Sequence, residues 1–346
     1  MKLRLAMSLV LAALAAAGAA YAFGTVSGVT FVAEAARQNA EHERITRLAL
    51  GCGAASLDGA GACFGARTLD TLAGEWAEGR PVFGAVGGPD RSDKVFKSPP
   101  HCDNGDFLDG VGYPALNRDG VAPGAQLQAC RVFANGKLDE AVADAGAVLD
   151  AKGVIRPSQV GADCVFVLGI PGRAKCNALE AFGIALHTAQ DFYAHTNWAD
   201  RPDPKRPIGA DNPPGLGNSG PAPWISLRAG AAQPLPKGLM SGCFGLPNEA
   251  KACAYMMGDG ARQRVMHAVL NKDTGTITPG FIGDGTSPRG AVEDNFARAV
   301  RAAIADTRDK WALLQERLTA RYGPVRAARI TCVLKADDPI TACAGR

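Results

Sequence analysis

The segment Ala185–Trp198, ALHTAQDFYAHTNW, sets His187, Asp191 and His195 four residues apart, twice over. An α-helix turns once every ~3.6 residues, so the three side chains share one face. Ile184 and Ala194 flank them on a helix that is otherwise largely apolar, a composition that belongs in an interior. Burying three titratable groups without partners is costly. The rest of the chain must therefore bring partners, or a cation, to that face. Imidazole and carboxylate in this register suit zinc, with Asp191 as the natural bridge between the two histidines. Without metal, the same residues would form a polar seam between helices, Asp191 accepting from ring N–H groups.

The whole chain has only five histidines, and the other three stand in suggestive company. His42 lies in EHERIT on an early helix. His101 and Asp103 lie in PPHCDNGDFLDG with Cys102 between them; an extended backbone there would point both toward one site. His267 lies in MHAVLNKD, four residues before Asn271 and close to Asp273. The candidate metal ligands are therefore His42, His101, Asp103, His187, Asp191, His195 and His267. Asp103 is also the candidate base orienting a water. The spacing of Asp103, Asp106 and Asp109 is not that of a calcium-binding EF-hand. No His-Glu-x-x-His, Gly-x-Ser-x-Gly or Cys-x-x-Cys occurs, which removes the zincin, esterase and zinc-ribbon signatures. GVGYPA (Gly110–Ala115) matches a dinucleotide-binding fingerprint only by letter, with no flanking strand or helix.

The first residues read as an export signal. Lys2 and Arg4 precede an apolar run from Leu5 to Leu14, and small residues lead to AYA. Residues 1–22 are expected to be removed, leaving residues 23–346 as a secreted or periplasmic chain without a transmembrane segment. Losing Lys2 and Arg4 lowers the formal charge from +3 to +1, so bulk charge gives no signal for nucleic-acid binding. Ten cysteines in an exported chain point to disulfides. Their order invites pairing of neighbours: Cys52 with Cys63, Cys102 with Cys130, Cys164 with Cys176, Cys243 with Cys253 and Cys332 with Cys343.

Helical patterns dominate: Val32–Leu50, Arg67–Gly79, Lys137–Gly153, Asn177–Trp198 and Glu293–Gly323. Period-2 alternation is not sustained anywhere, so strands are expected to be few. The expected architecture is mostly α, a single helical-bundle domain with long disulfide-pinned loops. One loop, Arg201–Gly238, holds nine prolines and is the candidate lid or wall over the site.

LHTAQDFYAHTNW resembles the signature of the Het-C family, named after a fungal heterokaryon-incompatibility protein. HERIT at His42, HCDN at His101–Asn104 and LNKD at Leu270–Asp273 are similar to its other short motifs, in the same order. Het-C-like proteins are in turn distantly similar to the superfamily of zinc-dependent phospholipase C and single-strand nucleases. That resemblance implies a secreted, helical protein binding one to three zinc ions. His187 and Asp191 match the His-x-x-x-Asp of its central helix, and His195 stands for a following histidine. Phe23 and His42 stand for the N-terminal ligands. It departs where Asn271 occupies the step at which the superfamily has an acid. The implied activity is phosphodiester hydrolysis, with phospholipid or another small phosphodiester as substrate. The rival expectation is a non-enzymatic recognition protein with a structural metal cluster.

Overall fold

The computed structural model describes residues 39–345 apart from 78–79, 83, 92–96, 107–122, 167–171, 229–232, 246–247 and 258–259. The expected signal segment, Phe23, the start of the first expected helix, Asp109 and all of GVGYPA lie outside the described residues. In chain order the elements are α1 (Glu41–Leu50), α2 (Ala66–Ala73), β1 (Glu75–Ala77), β2 (Arg80–Val82), α3 (Ser98–His101), α4 (Pro123–Ala145) and α5 (Ala174–His195). There follow α6 (Glu249–Ala252), β3 (Ala254–Met257), β4 (Gly260–Gln263), α7 (His267–Leu270), β5 (Gly275–Thr278), β6 (Phe281–Gly285), α8 (Asn295–Tyr322), α9 (Pro324–Lys335) and α10 (Pro339–Ala342). The fold is mostly α, and among the described residues six short strands pair as three antiparallel hairpins.

α5 is the axis. Every residue in it is buried except Asn177 and Glu180, because its apolar side chains run around all faces rather than along one stripe. α4, α8, α3 and the short turn Ala85–Gly87 pack around it. Phe182 and Phe192 are fully buried, so truncating either to alanine would cost about 3–5 kcal/mol. Trp311 of α8 sits against both Phe64 and Phe182, with ring centroids 4.7 and 5.8 Å away. One continuous apolar core runs from Ile45 to Cys343.

Two close approaches depend on glycine. A Cβ on Gly183 of α5 would lie 2.6 Å from the backbone of Ala85, and one on Gly242 would lie 2.3 Å from Cα of His267. Bare backbone at these points lets the Ala85–Gly87 turn and the His267 segment reach the axis.

Several sequence readings shift. The helix expected over Arg67–Gly79 stops at Ala73, because Gly74 takes a left-handed φ of 89°, and Glu75–Ala77 turns back to pair with Arg80–Val82. α4 begins at Pro123, well before Lys137, and its end tightens at Gly146–Val148 instead of running to Gly153. The β5–β6 hairpin turns at Pro279–Gly280, with Gly280 at φ 72°, as a Pro-Gly turn requires.

The proline-rich loop is stitched to the end of α5 and to α8. Asn197 Nδ2 donates to the carbonyls of Pro214 and Gly238. Arg298 donates to those of Ala199, Gly217 and Asn218. The Ala222 amide donates to Tyr193 Oη at 2.9 Å, and Trp224 stacks on Phe192. Five disulfides join the five neighbouring cysteine pairs, and no cysteine is free. That usage fits an oxidising compartment. No described helix is long and apolar enough to cross a membrane.

Candidate metal centre

All five histidines converge on Asp191. His42 Nε2 lies 3.1 Å from Asp191 Oδ1. On the other oxygen, Oδ2, His187 Nε2 lies at 3.0 Å and His101 Nδ1 at 2.9 Å. His195 Nε2 lies 3.8 Å from Oδ1. His267 enters through His195, whose ring meets it edge-on at 4.4 Å. The i, i+4 spacing on α5 thus places a carboxylate between two imidazoles, as its face requires.

The backbone reaches this point by routes the sequence did not show. His101 ends α3, and Cys102 takes a left-handed φ of 56°, so the stretch is not extended. His101 and Asp103 still face inward, toward Asp191 and toward His195 Nδ1 (3.2 Å) respectively. The helical pairing expected between His267 and Asn271 fails, because α7 ends at Leu270 and Asn271 is extended. Asn271 instead holds the turn, donating to the His267 carbonyl and accepting the Asp273 amide. Asp273 is the acid that arrives, 3.2 Å from His195 Nε2 and 3.3 Å from His267 Nε2. A further acid, Asp90, comes from the turn Pro89–Arg91 and lies 3.7 Å from His187 and 3.8 Å from His101. Its sequence context, GGPD, carries no ligand signal.

Among the described residues, three groups have geometry fit for a cation: His42, Asp90 and His187; His101, His187 and Asp191; and Asp103, His195 and His267, beside Asp273. Glu180, on the same face of α5, belongs to none of them.

Three imidazoles are oriented from behind. Gln190 Nε2 donates to Thr46 and Thr307 hydroxyls, so its Oε1 accepts from His42 Nδ1 at 2.7 Å. His187 Nδ1 donates to the Val86 carbonyl at 3.0 Å, the contact that Gly183 makes room for. His195 Nδ1 donates to the His101 carbonyl at 2.7 Å. In each case the Nε2 is left facing the centre, the arrangement in which outer partners fix a ligand's tautomer.

Neighbouring segments hold the wall. Glu41 accepts the Gly275 and Asn39 amides, tying α1 to β5, and burial pushes its carboxyl up to about 7. Residues Ser241–Phe244 lie between the Asp103 and His267 segments. Ser241 and Gly242 pair with Gly105 and Asn104, and Cys243 exchanges backbone bonds with Val265 and His267. Glu249 caps the first turn of α7 at the Ala268 amide, and burial raises its carboxyl to about 7.

Charge is concentrated and short of partners. The nine side chains are at most 6% exposed. Asp90, His101, Asp103, Asp191, His195, His267 and Asp273 each keep a buried nitrogen or oxygen without a hydrogen-bond partner. Burial pushes the His195 ring down, but Asp103, Asp191 and Asp273 outweigh it and hold that ring well above the usual histidine range. His42 and His101 are raised in the same way, chiefly by Asp191. His187 and His267 are lowered by burial and by a neighbouring histidine. Burial opposes ionisation of Asp191, yet His187, His195 and His42 hold its carboxyl well below the usual range. The acids thus keep protons on some of the rings, and a cation would take the place of those protons. The orphaned atoms and the mixed imidazole–carboxylate donor set fit a metal. No protein-family model matches the chain, and neither a curated protein nor a solved structure matches it.

Proposed function

We propose that this chain is a secreted zinc-dependent hydrolase of phosphodiesters, acting on phospholipid or another small phosphodiester. The observation that carries this reading is the gathering of four carboxylates and five imidazoles, with side chains at most 6% exposed, into three adjoining groups with polar atoms left over. Asp191 would bridge, His42, Asp90, His101 and His187 would complete one side, and Asp103, His195, His267 and Asp273 the other. When bound, the metal supplies a Lewis acid for a phosphoryl oxygen and brings the pKa of a nearby water toward ~7. Asp103 keeps its buried Oδ1 without a hydrogen-bond partner, which suits it to orient that water and accept its proton. The similarity of the four motifs to the Het-C family supports the same reading. Near-neutral charge favours a small substrate over long nucleic acid.

One observation favours a structural cluster in a recognition protein: the ligand side chains are almost sealed, whereas a catalytic metal keeps an open position. Metal analysis of the purified mature protein, with hydrolysis of p-nitrophenyl phosphorylcholine, separates the two. Zinc together with hydrolysis that disappears in Asp191→Asn is the expected result. Zinc without hydrolysis of this or other phosphodiesters leaves the structural cluster. A chain without stoichiometric metal removes both.

A further inference from the structure

We propose that Lys272 is the positioning residue of the Asp103–His195–His267–Asp273 group, so that this group gains or loses its metal separately from the groups around His187. The inference rests on the metal-binding reading above. Lys272 is fully buried. Its ammonium has three donors and uses all of them: on the carbonyl of Thr196 at 2.9 Å, the carbonyl of Leu270 at 2.8 Å and Asp200 Oδ2 at 3.0 Å. Thr196 directly follows His195 at the end of α5, and Leu270 ends α7, which begins with His267. Carbonyls at helix C-termini carry partial negative charge with no partner inside the helix. One cation therefore ties together the ends of two helices that each bring a candidate ligand. The Lys272 backbone amide donates to the Ala194 carbonyl at 3.0 Å, and the chain then leads straight into Asp273.

Asp200 anchors the device from outside. It accepts from Arg289 Nε at 2.9 Å and Nη2 at 3.2 Å, and Arg289 Nη1 reaches Asn212 Oδ1 of the proline-rich loop at 3.3 Å. None of these bonds touches the supports of the other groups, which are Gln190 with Thr46 and Thr307 behind His42, and the Val86 carbonyl behind His187. The Lys272 support is thus distinct from those behind His42 and His187, and the two sides meet where His195 Nδ1 donates to the His101 carbonyl.

Zinc titration of the chelator-stripped chain, counting equivalents and their affinities, tests the division. In Lys272→Met, one zinc equivalent should weaken by about 10–100-fold, as for loss of an outer support, while the remaining zinc binds as in wild type. Asp273→Asn should weaken the same equivalent, and the double variant should lose no more than the worse single one, the non-additivity expected of residues acting on one site. Asp200→Asn keeps the shape of the anchor and gives a second route if Lys272→Met does not fold. It should weaken that same equivalent by a smaller factor. The proposal is overturned if either folded variant melts earlier yet binds every equivalent at wild-type affinity, or weakens all equivalents alike. A wild type that binds no zinc overturns the metal reading itself, a result distinct from both.

Discussion

Two buried clusters of charge lie within a few residues of each other and are built on opposite terms. Asp200, Lys272 and Arg289 are each at most 3% exposed, and none of their side-chain polar atoms is left over: every lone pair that matters meets an N–H, and every ammonium proton an oxygen. The cluster around Asp191 is as deeply buried, yet seven of its residues keep an atom without a hydrogen-bond partner. A fold that satisfies one cluster completely can satisfy polar groups; leaving the other incomplete is the mark of a site shaped for something added. Buried polar groups without partners cost on the order of 1–3 kcal/mol each, too much to retain without return.

The largest expected difference between the clusters is in what an acid is worth. Asp200→Ala leaves Lys272 and Arg289 facing each other without their counter-ion and should destabilise by about 3–5 kcal/mol, most of which should persist in chelator. Urea titration of both forms checks this; a loss that vanishes in chelator would show that Asp200 acts through the metal alone. The centre should behave the other way. At free zinc a thousandfold above its Kd, binding adds about 4 kcal/mol, so chelator should lower the wild-type Tm by on the order of 10 °C. In Asp191→Asn the same chelator should scarcely move it. Identical chelator shifts in both proteins would show that Asp191 does not hold the metal.

A smaller effect belongs to Gln190. Gln190→Leu removes the acceptor behind His42 without touching a ligand, and zinc affinity should fall by about 10–100-fold with little change in the chelated protein. Competition with a zinc chelator reads this directly. The smallest effect lies on α8, where the buried Asp306 meets Lys310 at 2.6 Å beside the Tyr193 hydroxyl. Burial raises its carboxyl to about 6, with Lys310 opposing. The folded state therefore holds this proton more tightly than the unfolded chain. The stability it contributes is present below the unfolded value of 3.8 and is lost as pH rises through about 6. Asp306→Asn should match wild type near pH 3.5 and melt later above pH 6. A constant Tm difference across that range would remove Asp306 as the titrating group.

What could be read from the sequence follows from how local each signal was. His187, Asp191 and His195 were legible because helical spacing fixes their geometry within nine residues. The cysteine pairs were legible because each joins a neighbour in sequence. The five histidines stood out by rarity. Asp90 and Asp273 were not legible as ligands. The first is delivered by the turn that follows Ala85–Gly87, the segment that Gly183 admits, and the second by the early stop of α7 at Leu270. Gln190 reads as an ordinary helix polar residue until Thr46 and Thr307 are placed beside it. The hairpins were missed because each strand has only three to five residues, too few for alternation to register.

The disulfides close loops of only 10 to 28 residues, whereas the centre joins His42 to Asp191 and His101 to Asp191 across long stretches of chain and reaches Asp273 beyond them. Short loops close early, and contacts distant in sequence form only after the intervening chain has collapsed. Oxidation and the packing of single helices can therefore run ahead while the centre is assembled last. Interactions made after the rate-limiting step slow unfolding without speeding folding. A metal held there would act as a latch on the finished protein: it would lengthen the life of the native state and leave the time needed to reach it unchanged.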